Sequence, residues 1–410
     1  MGDNSKKPGI RFKGFTDDWE QRKLGELGSL KNGMNFSKKA MGIGFPFVNL
    51  QNIFGNNVID VSNLGKAMAS DSQLKDYNLL NGDVLFVRSS VKLEGVGEAA
   101  LVPQTLDNTT YSGFIIRFRD EYGLDNNFKR FVFGIESVRN QIMSQATNSA
   151  NKNISQSVLE NLELAIPSKS EQQKIGAYFS NLDHLITLHQ RKYDKLVMSK
   201  KSMLEKMFPK NGQTKPEIRF SGFIDDWEQR KLGELGTITT GNTPSTSIPD
   251  YYSDDGIVWV TPTDICENIT FESARKLSDL GQQVGRVVPK NTILVTCIAS
   301  IGKNTMLGNT GSFNQQINGL TPNENKYDPY FLLTESALWS AKMKGSAAAG
   351  TMQIVNRTEF SELKTWLPSL IEQQAIGAFF KQLDHLITLH QRELEKLKKI
   401  KLSMLEKMFV

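Results

Sequence analysis

The residues of this chain that could do chemistry are few. All four histidines, His184, His189, His385 and His390, come in pairs spaced i, i+5. Two metal ligands on one helical face require i, i+4, so packing is the simpler reading of both pairs. Cys266 and Cys297 are the only cysteines, too few for a disulfide framework or an all-cysteine zinc site. Asp328-Pro-Tyr-Phe331 comes close to an amino-methyltransferase tetrapeptide but has one proline where that motif has two. Gly302-Lys303 lacks the earlier glycine of a phosphate-binding loop and is followed by Asn304. Gly95-Val-Gly97 reads as a turn. A metal-dependent nuclease needs clustered carboxylates and a lysine. The nearest pieces, Pro249-Asp250 and Glu362-Leu-Lys364, stand over a hundred residues apart. Asp17-Asp18 and Asp225-Asp226 precede Trp19 and Trp227, and the sequence suggests helix N-terminal charges there. No catalytic or metal site is expected.

The 410 residues suffice for two to three domains, with 39% hydrophobic and 23% charged residues. No run of about 18 uncharged apolar residues marks a membrane span. Met1 to Lys13 is polar, without the apolar core of a secretory signal. A cytoplasmic location follows as an expectation. Lysine and arginine number 49 against 44 acids, a net +5, which leans towards polyanions only where placement is local.

Internal repetition organises the chain. Ile10 to Gly28 reads IRFKGFTDDWEQRKLGELG and Ile218 to Gly236 reads IRFSGFIDDWEQRKLGELG. Glu171 to Phe208 and Glu372 to Phe409 form a second, longer pair, both opening EQQ and ending SMLEKMF. The predicted domains are a short repeat (1–28), a first variable domain (29–170), a central helix (171–208), a linker with the second short repeat (209–236), a second variable domain (237–371) and a C-terminal helix (372–410). Phe12, Phe15 and Trp19, with Phe220, Phe223 and Trp227, are expected to pack on the helix ends or a neighbouring domain.

Ser168 with Glu171, and Ser369 with Glu372, form Ser-x-x-Glu capping boxes after Pro167 and Pro368. Beyond them a heptad seam runs through Ile175, Phe179, Leu182, Ile186, His189, Tyr193, Leu196, Met203 and Met207. Its counterpart is Ile376, Phe380, Leu383, Ile387, His390, Leu394, Leu397, Met404 and Met408. Such spacing predicts coiled-coil helices of roughly 57 Å, at about 1.5 Å per residue. Neither buries its stripe alone, and two equal units are expected to associate isologously and antiparallel, with a variable domain at each end. His189 and His390 then face each other across the pseudo-twofold, and Lys200 and Lys401 take seam positions where a charge can fix register. The basic stretch from Arg191 to Lys206 is either a solvated face or a contact with phosphates or partner subunits.

The variable regions read as mixed α and β, with strand-like runs at Phe45–Leu50, Val84–Val87, Phe114–Phe118, Val258–Val260 and Ile293–Cys297. Asn81 to Arg88 parallels Pro289 to Thr296, and Phe47 to Ile53 parallels Trp259 to Ile265, so one skeleton carries different loops. The fold class is α+β: two mixed domains separated by two long antiparallel coiled-coil helices, as an internal repeat.

Two divergent domains alternating with two near-identical helices that start E-Q-Q-x-I-G-A and run through L-D-x-L-I resemble the specificity subunit of type I restriction–modification systems. Thr239 to Ser245 (TTGNTPS), followed by Trp259 to Asp264, is similar to the start of a target-recognition domain of that family. The resemblance covers about residues 10–409. It implies that each variable domain reads half of a split, asymmetric DNA site of about three to five base pairs per half, while the helices set the unread gap and dock two methyltransferase subunits. Restriction subunits join the full complex. S-adenosyl-methionine, ATP and magnesium belong to those partners, and this chain is expected to carry no cofactor and no activity of its own. The rivals are a duplicated structural protein and a self-sufficient methyltransferase or nuclease.

Base readout needs Arg or Lys for guanine and Asn or Gln for adenine, with phosphate contacts for positioning. The DNA-contact candidates are Lys38, Lys39, Asn49, Gln51, Asn52, Arg88, Ser90 and Lys92 in the first domain. In the second they are Thr243, Ser245, Thr246, Thr263, Lys303, Asn304, Gln315 and Gln316. Gln315-Gln316 stands out as poor strand material after Phe313.

Overall fold

The computed structural model describes residues 7–147, 151–210, 212–298, 300–348 and 354–410. Two long helices, Lys169–Lys206 and Leu370–Met408, carry the repeated segments. The chain divides into two compact units. Unit 1 comprises residues 1–189 with 393–410, and unit 2 comprises residues 190–392. Each unit therefore takes in the start of one long helix and the end of the other, rather than following the contiguous domain boundaries read from the sequence.

In unit 1 a four-stranded antiparallel sheet has the order Gly28–Asn32, Ile115–Asp120, Val84–Val87, Ala99–Leu101. Val84–Val87 is buried throughout, as its unbroken apolar run implies. A three-stranded sheet places Met41–Val48 between Gly65–Ala67 and Thr110–Tyr111. Unit 2 repeats the plan. Gly236–Thr240, Ile317–Pro322, Ile293–Thr296, Asn304–Leu307 and Ile269–Thr270 form one sheet, and Tyr252–Val260 lies between Lys276–Leu277 and Gly311–Phe313 in another. In both units a strand of the short repeat closes onto the strand leading into a long helix: Glu20–Lys23 on Glu163–Ile166, and Glu228–Lys231 on Lys364–Leu367.

The helix starts are fixed by more than the expected capping box. The Glu171 N–H donates to Ser168 Oγ at 3.4 Å, and Glu372 to Ser369 Oγ at the same distance. The reciprocal half is replaced, because both glutamates are almost wholly buried and each accepts a bidentate guanidinium from the short repeat: Arg11 at 2.6 and 2.8 Å, Arg219 at 2.7 and 2.7 Å. A charge-assisted fork is stronger than a capping contact to a backbone amide, so it wins. The next residue spans two elements: Gln172 donates to the Pro167 carbonyl and accepts the Asp125 N–H, and Gln373 does the same with Pro368 and Asp328.

Within each unit the two helix segments run antiparallel. In unit 1 Phe179 meets Phe409 at 5.8 Å and Asp183 meets Lys401 at 2.6 Å. In unit 2 Phe380 meets Phe208 at 6.0 Å and Asp384 meets Lys200 at 2.6 Å. The seam lysines thus find the carboxylates of the L-D-x-L-I segment. The repeat tryptophans are buried as expected, Trp19 beside Phe128 and Phe409, Trp227 beside Phe208 and Phe331. Asp17-Asp18 and Asp225-Asp226 precede strands rather than helices, which corrects the helix-charge reading. Asp18 pairs with Lys7, and Asp226 with Lys215.

Candidate nucleic-acid interface

Corresponding strands carry the candidate readers. In unit 1 Val87 is opposite Ile115, and in unit 2 Thr296 is opposite Ile317. One residue beyond the strand, Arg88 N–H donates to the Phe114 carbonyl at 2.8 Å, and Cys297 N–H to the Gln316 carbonyl at 2.8 Å. The two frames therefore match residue for residue at this corner, with Arg88 corresponding to Cys297 and not, as the sequence parallel had it, to Thr296, and the side chains on it differ.

Around the corner in unit 1, Ser90 and Lys92 line an open groove of about 520 Å³ with Leu50, Phe54, Val91 and Phe114. Lys92 is exposed, and its N–H donates to Ser90 Oγ at 3.2 Å, holding the turn. Half-buried Arg88 reaches the Gly113 carbonyl at 3.4 Å. Lys39 and Gln51 are exposed. The backbone of Lys38 opens a short 3-10 turn. Asn49 caps the next such turn, accepting from Leu50 N–H at 2.8 Å. Asn52 corrects the sequence reading. It is 1% exposed, its amide donates to the Asp60 and Asn63 carbonyls at 3.0 Å each, and its oxygen accepts the Asn49 N–H. All three bonds are spent inside the loop, leaving nothing for a base edge.

In unit 2 the structure brings Thr243 and Gln315 together through a hydrogen bond from Thr243 Oγ1 to Gln315 Oε1, both residues exposed. Gln316 N–H donates to Asn314 Oδ1 at 3.1 Å, and Gln316 Oε1 accepts from Asn314 Nδ2 at 3.0 Å. Lys303 is exposed and donates to the Pro262 carbonyl at 3.1 Å, beside exposed Thr263. Ser245 and Thr246 are exposed, with Ser245 Oγ 2.7 Å from Ser247 Oγ. Asn304 is a second correction: half-buried, its amide donates to Ser336 Oγ in the helix Pro329–Ala348.

Asn242 holds the loop that leads to Thr243. It donates to the Val284 carbonyl and accepts the Arg286 N–H, both at 2.8 Å, while its own carbonyl accepts Trp259 Nε1 at 3.1 Å. A Cβ at Gly241 would overlap the Phe313 and Asn314 carbonyls. The Gly-Asn of the TTGNTPS stretch is thus structural, and after it Thr243 and Ser245 are exposed while Pro244 is buried.

Among the described residues no group of three or more His, Cys, Asp or Glu could hold a metal, and no helix is long and apolar enough to cross a membrane. Seam residues Ile175, Phe179, Leu182, Ile376, Phe380, Leu383 and Leu394 are buried, as are Met207 and Met408. Ile186, His189, Tyr193, Leu196, Met203, Ile387, His390, Leu397 and Met404 are half-buried.

Two units with one frame and different loops define a protein that presents two unlike surfaces from one chain. The family described as type I restriction modification DNA specificity domain matches twice, at residues 16–198 and 224–399, and the chain belongs to it. A putative type I restriction enzyme specificity subunit, MjaX, of Methanocaldococcus jannaschii is 23% identical over 403 residues, covering 94% of this chain and 92% of that one. The HindI specificity subunit of Haemophilus influenzae is 28% identical over 171 residues, 39% of this chain and 37% of its own. The S subunit of a type I restriction–modification system from M. genitalium has the same fold, with a TM-score of 0.66 at 16% identity over 98% of this chain and 99% of that one.

Proposed function

We propose that this chain is the DNA sequence-specificity subunit of a type I restriction–modification complex, unit 1 reading one half of a bipartite site and unit 2 the other. The observation that carries this reading is the repeated frame with different chemistry at matching corners. The family domain falls on both units, yet exposed Phe114 stands where unit 2 has half-buried Gln316, and half-buried Arg88 stands where it has Cys297, which is buried and offers no reader. Readers that differ at matching positions specify different bases, so the site is asymmetric. Lys39, Gln51, Arg88 and Lys92 in unit 1, and Thr243, Thr263, Lys303, Gln315 and Gln316 in unit 2, are the contacts this reading favours. Methyl transfer, cleavage and their cofactors reside in methyltransferase and restriction subunits. The exposed faces of the helices, including Leu185, Leu188, Leu386 and Leu389, are where the methyltransferase subunits dock.

The test is to map methyladenine in cells carrying the methyltransferase partner with the native chain, then with residues 237–371 replaced by another variable domain. One half of the site changes and the other stays. A change in both halves, or in neither, overturns modular reading. The chain alone with S-adenosyl-methionine transfers no methyl group.

A further inference from the structure

Phe114 is 58% exposed, yet its backbone is pinned on both sides. Its N–H donates to Ser112 Oγ at 3.3 Å and its carbonyl accepts Arg88 N–H at 2.8 Å. Gln316 is pinned by the same two bonds, to the side chain two residues earlier and to the start of the neighbouring loop. A Cβ at Gly113 would meet the Asn35 carboxamide, the end of an exposed side chain that can move aside. A single exposed ring is ordinary on a protein surface, but Phe114 does not stand alone.

The ring borders the groove shared with Phe54, 38% exposed, and Val91, 77% exposed. A Cβ at Gly95 would press into Ser90 Oγ and the Phe54 ring, so this wall is close-packed below and apolar on top. Lys92 lines the groove together with Glu94 and Glu98, and Lys92 is the one cation among them suited to a phosphate beside the apolar surface. In the major groove the one apolar mark on a base pair is the C5-methyl of thymine, read by apolar and aromatic contacts.

We propose that Phe114, with Phe54 and Val91, is a specificity-determining contact that recognises a thymine methyl group in the half-site read by unit 1. The matching position in unit 2 carries a carboxamide instead of a ring: Gln316, half-buried, with its oxygen accepting from Asn314 Nδ2. The proposal rests on the specificity reading above and deepens it by naming the chemical group that one corner selects.

The experiment uses the full chain assembled with its methyltransferase partner and duplexes bearing the mapped site. Each thymine of the unit 1 half-site is replaced singly by deoxyuridine, which removes only the methyl. At one position the native complex methylates the deoxyuridine duplex about fourfold more slowly, the size expected for one buried methyl. Phe114→Ala abolishes that difference, and Phe114→Leu, still apolar, keeps most of it. Equal rates on all thymine and deoxyuridine duplexes with the site otherwise respected overturn the proposal and leave the specificity reading standing. A half-site without thymine does the same. Loss of methyltransferase binding in Phe114→Ala, with unchanged discrimination in the complex that remains, assigns the ring to a protein contact and overturns it as well. A complex that methylates every duplex alike removes the specificity reading itself.

Discussion

Replacing Asp183 by Leu should destabilise the chain more than replacing Lys401, although the two form one ion pair. Asp183 is a hub. It lies 2.6 Å from Lys401 Nζ, 3.3 Å from Arg130 and 3.2 Å from the Asn57 amide. The three charged side chains are 17–27% exposed, so the interaction sits between the surface and buried limits. Burial already holds the Arg130 guanidinium below its ordinary range, and the Asp183 charge opposes that shift. Without the carboxylate, two cations remain roughly 5–8 Å apart, repelling by about 1–3 kcal/mol at an effective dielectric of about 20–40. Asp183→Leu should therefore cost about 2–3 kcal/mol, lowering the melting temperature of unit 1 by about 4–12 °C. Lys401→Met leaves the carboxylate satisfied by Arg130 and Asn57 and should cost only about 0.5–1 kcal/mol. The equivalent Asp384 meets one cation, Lys200, and the Tyr330 hydroxyl at 3.0 Å. Asp384→Leu strands a single charge and should fall between the other two. Calorimetric melting of the full chain gives the ranking. Asp183→Leu and Lys401→Met melting within about 1 °C of each other would refute the hub argument.

Other substitutions test packing, titration and the loop corrections. A Cβ at Gly176 would stand 2.7 Å from Asn127 Cβ and 2.8 Å from Phe128 N, so Gly176→Ala should lower stability by about 1–3 kcal/mol despite its better helix propensity, as read by urea melts. Glu335 is 3% exposed and desolvation pushes its carboxyl up to about 8. An acid raised in the folded state loses stability as pH climbs from its unfolded value near 4.5 to about 8, by at most about 1.4 kcal/mol per pH unit. Glu335→Gln should flatten that loss, and its gain in melting temperature should be larger at pH 8.5 than at pH 5; an equal gain at both counts against it. Asn52→Ala should cost about 1–3 kcal/mol from its broken loop bonds while leaving the methylated sequence unchanged, seen by melting and methylome mapping. A changed site would return Asn52 to the readers.

The repeats made the helices legible, since a heptad stripe behind a proline and a capping serine has few other meanings. Val84–Val87 and Ile293–Thr296 were legible because their apolar runs are short and β-branched. Helix Pro329–Ala348 gave no such signal, because Tyr330, Phe331, Leu332, Leu333, Trp339 and Met343 are buried around its circumference and leave no stripe. The seam lysines were visible, but Asp183 and Asp384 were not, because their roles appear only when the helices are brought side by side. Loop polarity misplaced Asn52 and Asn304: an amide looks the same in sequence whether it faces water or fastens its own turn. Phe114 was read into the strand that begins at Ile115, since pattern alone cannot show that a ring at a strand entrance points outward.

Unit 1 contains Phe409, which is stacked on Phe128 and packed against Trp19, and that has a consequence for biosynthesis. The ribosome delivers residues 1–189 first, but their core lacks its last wedge until residues 393–410 emerge. At about 5–20 residues per second that wait is roughly 10–40 s. Residues 190–392 are contiguous and need no such delay, so the half of the chain translated first should be the last to become protease-resistant.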